Sequence, residues 1–233
     1  MSADAPLSPE RRREVVRQAW SVGVASGTYG VSFGALAVAA GLDIWQAQVL
    51  SLVMFTGGSQ FAFVGIIAAS GLAAAPAAIA TATMLGIRNG LYGLQTSQLL
   101  RVTGVKRLAA AQLTIDESTA VGIAQPEPQA GRLGFWQTGI AVFVLWNSST
   151  LLGALLGNAL GDPRRLGLDA AAAAAFVALL WPRLKSRDAT ATAVLAIAIA
   201  LLASPVLPAG VPVILAAVSL IATMNVDWPC ASR

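Results

Sequence analysis

Long stretches without charge alternate with short charged ones along this chain, and that alternation organises everything else. Uncharged runs span residues 18–42, 44–87, 133–161 and 189–226, and a shorter alanine-rich one begins near Asp169. A run of about 20 apolar residues is what a helix needs to cross hydrocarbon. The pattern predicts helical segments over about 19–40, 44–70, 77–100, 133–161 and 166–182. Ser204-Pro205 and Leu207-Pro208 split the last run into two more short segments. The expected class is an all-α integral membrane protein with six to seven apolar helical segments. Residues 1–18 read as a basic cytoplasmic tail, 19–228 as the polytopic domain with a polar connection at 101–134, and 229–233 as a C-terminal tail.

Within the second run, Phe55 to Phe61 spells F-T-G-G-S-Q-F. Two adjacent glycines beside a serine and a glutamine are poor helix material. A helix break in hydrocarbon leaves backbone groups unsatisfied, so it persists where protein or a water-filled cavity covers it. The segment is expected to be broken or re-entrant near Gly57-Gly58. The charge distribution favours re-entry. If all seven segments cross with the N-terminus inside, six basic residues lie inside and eight outside. If the second segment dips in and returns, the count becomes twelve inside and two outside, as the positive-inside rule prefers.

Composition sharpens the class. Of 233 residues, 56% are apolar and 11% charged, against about 25% charged in soluble domains. The basic N-terminus followed by an apolar run has the look of a signal peptide, but the run is long and studded with Gly, Ser, Thr and Tyr, so a first transmembrane helix is expected. Gly23/Gly27 and Gly30/Gly34 form small-xxx-small pairs suited to close helix packing. Trp20, Trp45, Trp136, Trp181 and Trp228 fall near predicted segment ends, as an interfacial belt requires. With no histidine and one cysteine, Cys230, a His/Cys zinc site, a His-ligated haem, a His-dependent triad and an internal disulfide are excluded. No metal, cofactor or enzymatic activity is expected, since no Ser/Lys or Asp/Asp pair stands at a suggestive spacing. The net charge of +4 forms no continuous basic face, so no nucleic acid is expected.

The candidate substrate-binding residues are Gly57, Gly58, Ser59, Gln60, Arg88, Asn89 and Asn147. The second half of a broken helix presents N–H groups and partial positive charge to an anion. Arg88 is the sole charge between Asp43 and Arg101, and a cation deep in a span faces a cavity or a partner. Asn147, within an Asn-Ser-Ser-Thr interruption of the fourth segment, offers a second polar wall or an interhelical hydrogen bond. Asp116 and Glu117, in the polar connection, are candidates for coupling or ion pairing, with a solvated loop helix as the alternative. Asp169 reads as a helix cap. Gly41-Leu42-Asp43 recurs at 167–169 and Ala80-Thr81-Ala82-Thr83 at 189–192, a trace of internal repetition.

Several strings in order resemble one family: F-T-G-G-S-Q-F, G-I-R-N-G-L-Y-G (86–93), L-T-I-D-E-S-T-A (113–120), L-W-N-S-S-T-L-L-G (145–153) and G-L-D-A-A-A-A-A-A-F (167–176). Together they resemble the AzlC-type permeases, the large subunits of bacterial branched-chain amino acid exporters. The resemblance implies ion-gradient-driven export of leucine, isoleucine, valine or related small apolar amino acids across the bacterial inner membrane. It also implies a small AzlD-type membrane partner of about four spans. A passive channel or a non-transporting scaffold subunit is the alternative. The family pattern around Arg88 reads Asn-x-Arg-His, whereas this chain has Gly86-Ile87-Arg88-Asn89. A proton relay through that histidine is therefore not open to it.

Overall fold

The computed structural model describes residues 6–159, 177, 180–181, 184–207 and 211–224, and the described residues contain helices and turns but no strands. In chain order the helices are α1 (Pro9–Gly27), α2 (Tyr29–Ala39), α3 (Ile44–Val53), α4 (Gly58–Ser70), α5 (Ala75–Leu100), α6 (Val105–Gln112), α7 (Asp116–Ile123), α8 (Pro128–Ala159), α9 (Arg187–Ala203), α10 (Val211–Ala216) and α11 (Val218–Met224). Of the expected fifth segment only 177 and 180–181 are described, and its Asp169 cap, the second Gly-Leu-Asp copy, Trp228 and the C-terminal tail lie outside the described residues.

Among the described residues, two helical stretches are long and apolar enough to cross a bilayer, Pro9–Ala39 and Pro128–Ala159. They run parallel and in close contact. Val15 sits by Gly134, and Cβ atoms added at Gly23 and Gly27 would stand 2.6 Å from those of Ala141 and Leu145. Further along, Gly34 abuts Thr150 and Ala154, and Gly157 abuts Ala35. The small-residue stripe therefore serves helix packing, as its spacing predicts. Helix α1 begins earlier than the apolar pattern does, because Ser8 caps it by accepting the Arg11 N–H at 3.2 Å and Pro9 suits the first turn.

The second segment breaks where its glycines predict. Asp43 and Gln46 cap α3 reciprocally, at 2.8 and 2.9 Å. Helix α3 stops at Val53, and α4 restarts at Gly58 after Gly57 adopts φ +64°, ψ −91°, a conformation open to glycine and strained for other residues. The two arms form a hairpin. The start of α3 (Leu42, Asp43, Trp45) lines one groove with Ile67 of α4, Leu72, and Ala75 of α5. Both arms thus open at the end where α2 and α8 finish.

The 101–134 connection differs from its expected form as a polar loop. It folds into α6, α7 and the start of α8. Helices α6 and α7 make a second hairpin whose tip is Leu113–Ile115. Its tip is pinned locally: Ser118 Oγ accepts from the Ile115 N–H and donates to the Leu113 carbonyl at 2.6 Å. Its mouth lies at the opposite end of the molecule, where α1 and α8 begin. There Gly122 faces Gly131 and Leu99, Arg132 Nε donates to the Leu99 carbonyl at 2.9 Å, and Arg11 donates to Gln125 at 2.8 Å. Helix α5 connects the two mouths. It has the length to cross, about 39 Å at 1.5 Å per residue, but Arg88 and Asn89 interrupt its apolar character. Among the described residues, the second apolar segment of the sequence pattern is two half-length helices. The Asn147–Thr150 string interrupts nothing, because α8 runs through it unbroken.

Candidate functional site

The two hairpin tips meet at a cavity of about 330 Å³ beside the middle of α5 and α8. One wall is apolar: Phe55, Leu85, Ile115, Val142 and Trp146. It is held in place by an aromatic cluster. Phe33 and Phe61 meet edge to face at 5.7 Å, Phe33 stacks on Trp146 at 6.1 Å, and Phe55 meets Phe143 edge to face at 5.1 Å. These separations fall in the favourable range for ring pairs.

The other wall is polar: Ser26, Tyr29, Thr56, Gly57, Gly58, Arg88, Asp116 and Glu117. Arg88 Nη1 pairs with Asp116 Oδ2 at 3.0 Å, and Nη2 makes a long contact of 3.5 Å to the Thr56 carbonyl. One guanidinium thus touches both tips. Gly58 permits this approach, since a Cβ there would lie 3.3 Å from Arg88 Nη2. Asp116 and Glu117 occupy the first turn of α7, where the helix dipole favours anions. Ser26, next to the α1–α2 discontinuity at Thr28, lines the same wall as Glu117.

Three cavity residues carry a buried donor without a partner among the described residues: Thr56 Oγ1, Arg88 Nε and Trp146 Nε1. Buried donors in native proteins are nearly always satisfied, so each such group calls for an explanation. The α4 N-terminus adds the Gly58 and Ser59 N–H groups, which have no intrahelical acceptor by position. The polar wall therefore combines the Arg88 guanidinium and the α4 N-terminus with carboxylates at the start of α7.

The expected site residues divide into two groups. Gly57, Gly58, Arg88, Asp116 and Glu117 line the cavity together. Ser59, Gln60, Asn89 and Asn147 are outside its lining. Gln60 is fully buried and pins the break instead: its Oε1 accepts the Gly57 N–H at 3.1 Å, while its Nε2 reaches the Leu50 and Ser51 carbonyls at 3.5 Å. Ser59 is buried against Gly86. Asn147 donates to the Phe143 carbonyl one turn back at 2.7 Å. Thr56, Ser26, Tyr29 and Trp146 were missed by sequence reasoning. Thr56 stands within the F-T-G-G-S-Q-F string and was legible there, whereas Ser26, Tyr29 and Trp146 are brought in by the parallel packing of two distant helices.

The sequence profile described as "AzlC protein" matches residues 21–160. The chain is also 32% identical over 162 residues to an "Uncharacterized membrane protein" of Archaeoglobus fulgidus, an alignment covering 69% of this chain and 70% of that one. No solved structure matches.

Proposed function

The chain belongs to the AzlC family of membrane proteins, and from that premise we propose that it is a secondary transporter exporting branched-chain or related small apolar amino acids. The observation that carries this reading is the two-sided cavity between discontinuous helices. Its size falls in the lower part of the range for small-ligand pockets. Thr56, Arg88 and Trp146 line the cavity beside the α4 N-terminus, a constellation suited to a carboxylate. Glu117 offers a carboxylate to the ammonium group. Phe55, Ile115, Val142 and Trp146 offer an apolar surface to an aliphatic side chain. A zwitterion with a short apolar side chain satisfies all three surfaces at once. Sites of this kind, at helix breaks near mid-membrane, are typical of secondary transporters.

Sidedness follows from charge. Arg11, Arg12, Arg13 and Arg17 on α1, Arg101, Lys106 and Arg107 around the start of α6, and Arg132 near the start of α8 all belong to one end of the molecule. The opposite end of residues 6–159 has Asp43. By the positive-inside rule the basic end is cytoplasmic, in a multi-pass arrangement in the cytoplasmic membrane. Ion-gradient coupling and a small AzlD-type partner complete the proposal. The apolar face that α5 exposes through Ile79, Ile87, Leu91 and Leu94 is compatible with lipid or with such a partner.

Counterflow of labelled leucine, isoleucine, valine and methionine into vesicles, with and without a pH gradient and with and without the partner, tests the reading. Exchange that depends on a trans amino acid is expected. Flux indifferent to trans substrate and to protonophores would instead indicate a channel, and absence of flux even with the partner would refute transport.

A further inference from the structure

We propose that the α3–α4 and α6–α7 hairpins are opposed re-entrant gates on one site, and that Gln112 ties their tips together. This rests on the transport reading for its purpose but on separate observations for its geometry. The first hairpin opens at the end where α2 and α8 finish, because Ala40, Leu42, Ala74 and Ala75 pack with Ile66, Ile67 and Ala78 there. The second opens at the end where α1 and α8 begin, because Leu99, Gly122 and Gly131 pack together there. The parallel course of α1–α2 and α8 makes these two ends opposite faces. The arms hold 10 and 13 residues, then 8 and 8. At 1.5 Å per residue they reach about 12–20 Å, roughly half of a bilayer. Each hairpin therefore penetrates from its own face and stops where the other stops.

Two polar ties join the tips. One is Arg88, which touches Asp116 of one hairpin and the Thr56 carbonyl of the other. The second is Gln112, at the end of α6, whose Nε2 donates to the Leu52 carbonyl near the end of α3 at 2.8 Å. That carbonyl belongs to the last turn of α3 and lacks a helical donor by position. Gln112 supplies one across the junction, so it is a positioning residue outside the cavity. A ligand carboxylate competing for Arg88 loosens the first tie and leaves Gln112 as the remaining link. Separation of one tip then opens the site toward one face while the other hairpin still covers it.

The test uses full-length protein with Cys230→Ser, in vesicles of both orientations, and a membrane-impermeant maleimide. Asp43→Cys and Ser70→Cys are expected to label from one face, and Lys106→Cys and Ala124→Cys from the other. Labelling of either pair from opposite faces would overturn the hairpins. The tie is read separately, at Ile115→Cys in the cavity wall. Loss of one neutral hydrogen bond of about 0.5–1.5 kcal/mol shifts an opening equilibrium by about 2- to 13-fold. Gln112→Ala should speed labelling of Ile115→Cys by that factor, and Gln112→Lys, which retains a donor, should reverse most of the gain. Equal labelling rates in all three would remove Gln112 from the gate. These readouts need no transport, so an absence of leucine counterflow in the same vesicles would count against the transport reading and not against the hairpins.

Discussion

Replacing Arg88 by alanine removes a side chain that touches both tips and lines the cavity. It breaks the 3.0 Å ion pair with Asp116 and the contact to the Thr56 carbonyl. Arg88 and Asp116 side chains keep 31% and 21% of their surface exposed, so the full 3–5 kcal/mol of a completely buried broken pair does not apply. A charge-assisted hydrogen bond of about 1.5–3 kcal/mol is the better measure. If Arg88 holds the substrate carboxylate, the same interval is lost from binding, which is about 10- to 150-fold in half-saturation. Arg88→Lys keeps the charge but not the planar fork that reaches two partners, so it should fall between wild type and Arg88→Ala. The assay is counterflow of labelled leucine in proteoliposomes, over a range of leucine concentrations and normalised to reconstituted protein. Wild-type half-saturation and rate in Arg88→Ala, with the protein present in the membrane, would refute the assignment of Arg88 to the site.

Glu117→Gln keeps the side chain's size but removes the negative charge proposed for the ammonium. It should weaken leucine exchange about tenfold or more, yet leave inhibition by the des-amino acid 4-methylpentanoate unchanged; an equal loss for both ligands would contradict the assigned polarity. Gly57→Ala puts a Cβ on a backbone at φ +64°, ψ −91°, and about 1–3 kcal/mol of strain should appear as a lowered melting temperature in detergent. Gln60→Leu leaves the half-buried Gly57 N–H without its acceptor, at about 0.5–1.5 kcal/mol, and should lower the same melting temperature while leaving the surface charge intact. Gly34→Val drives a side chain into the α8 backbone at Thr150. It should prevent recovery of folded protein by size exclusion, whereas Gly90→Val, where a Cβ meets open space, should not.

The helical membrane class, the break at Gly57-Gly58 and the need of Arg88 for a cavity or a partner were all legible in the sequence, because each is a local conflict with hydrocarbon. Glycines in an apolar run and a cation far from a segment end declare themselves without tertiary information. Charge counting led to the expectation that the second segment re-enters, since the sign of a loop is a property of composition, and the structure supplies the two half-length helices such a course requires. The second hairpin was not readable. Its sequence is polar enough to pass for a loop, and only packing against α8 and α5 turns Asp116 and Glu117 toward the cavity. Asn147 lies outside the cavity lining. A polar residue in mid-helix looks like a wall of a site, but a bond to the carbonyl one turn back satisfies its amide donor locally.

What the sequence determined by itself is thus where hydrocarbon is tolerated, where the helix must fail, and which charge cannot be left alone. These are single-residue free energies, set by side-chain and backbone chemistry before any neighbour is known. What the tertiary structure decided is which exceptions share a place. The parallel pairing of α1–α2 with α8, possible through glycines that allow near contact of backbones, brings Ser26 and Trp146 to one cavity. The two hairpins bring Gly58 and Asp116 to the same guanidinium from opposite ends of the molecule. Proximity across about 60 residues of chain is a property of packing, and no local pattern encodes it.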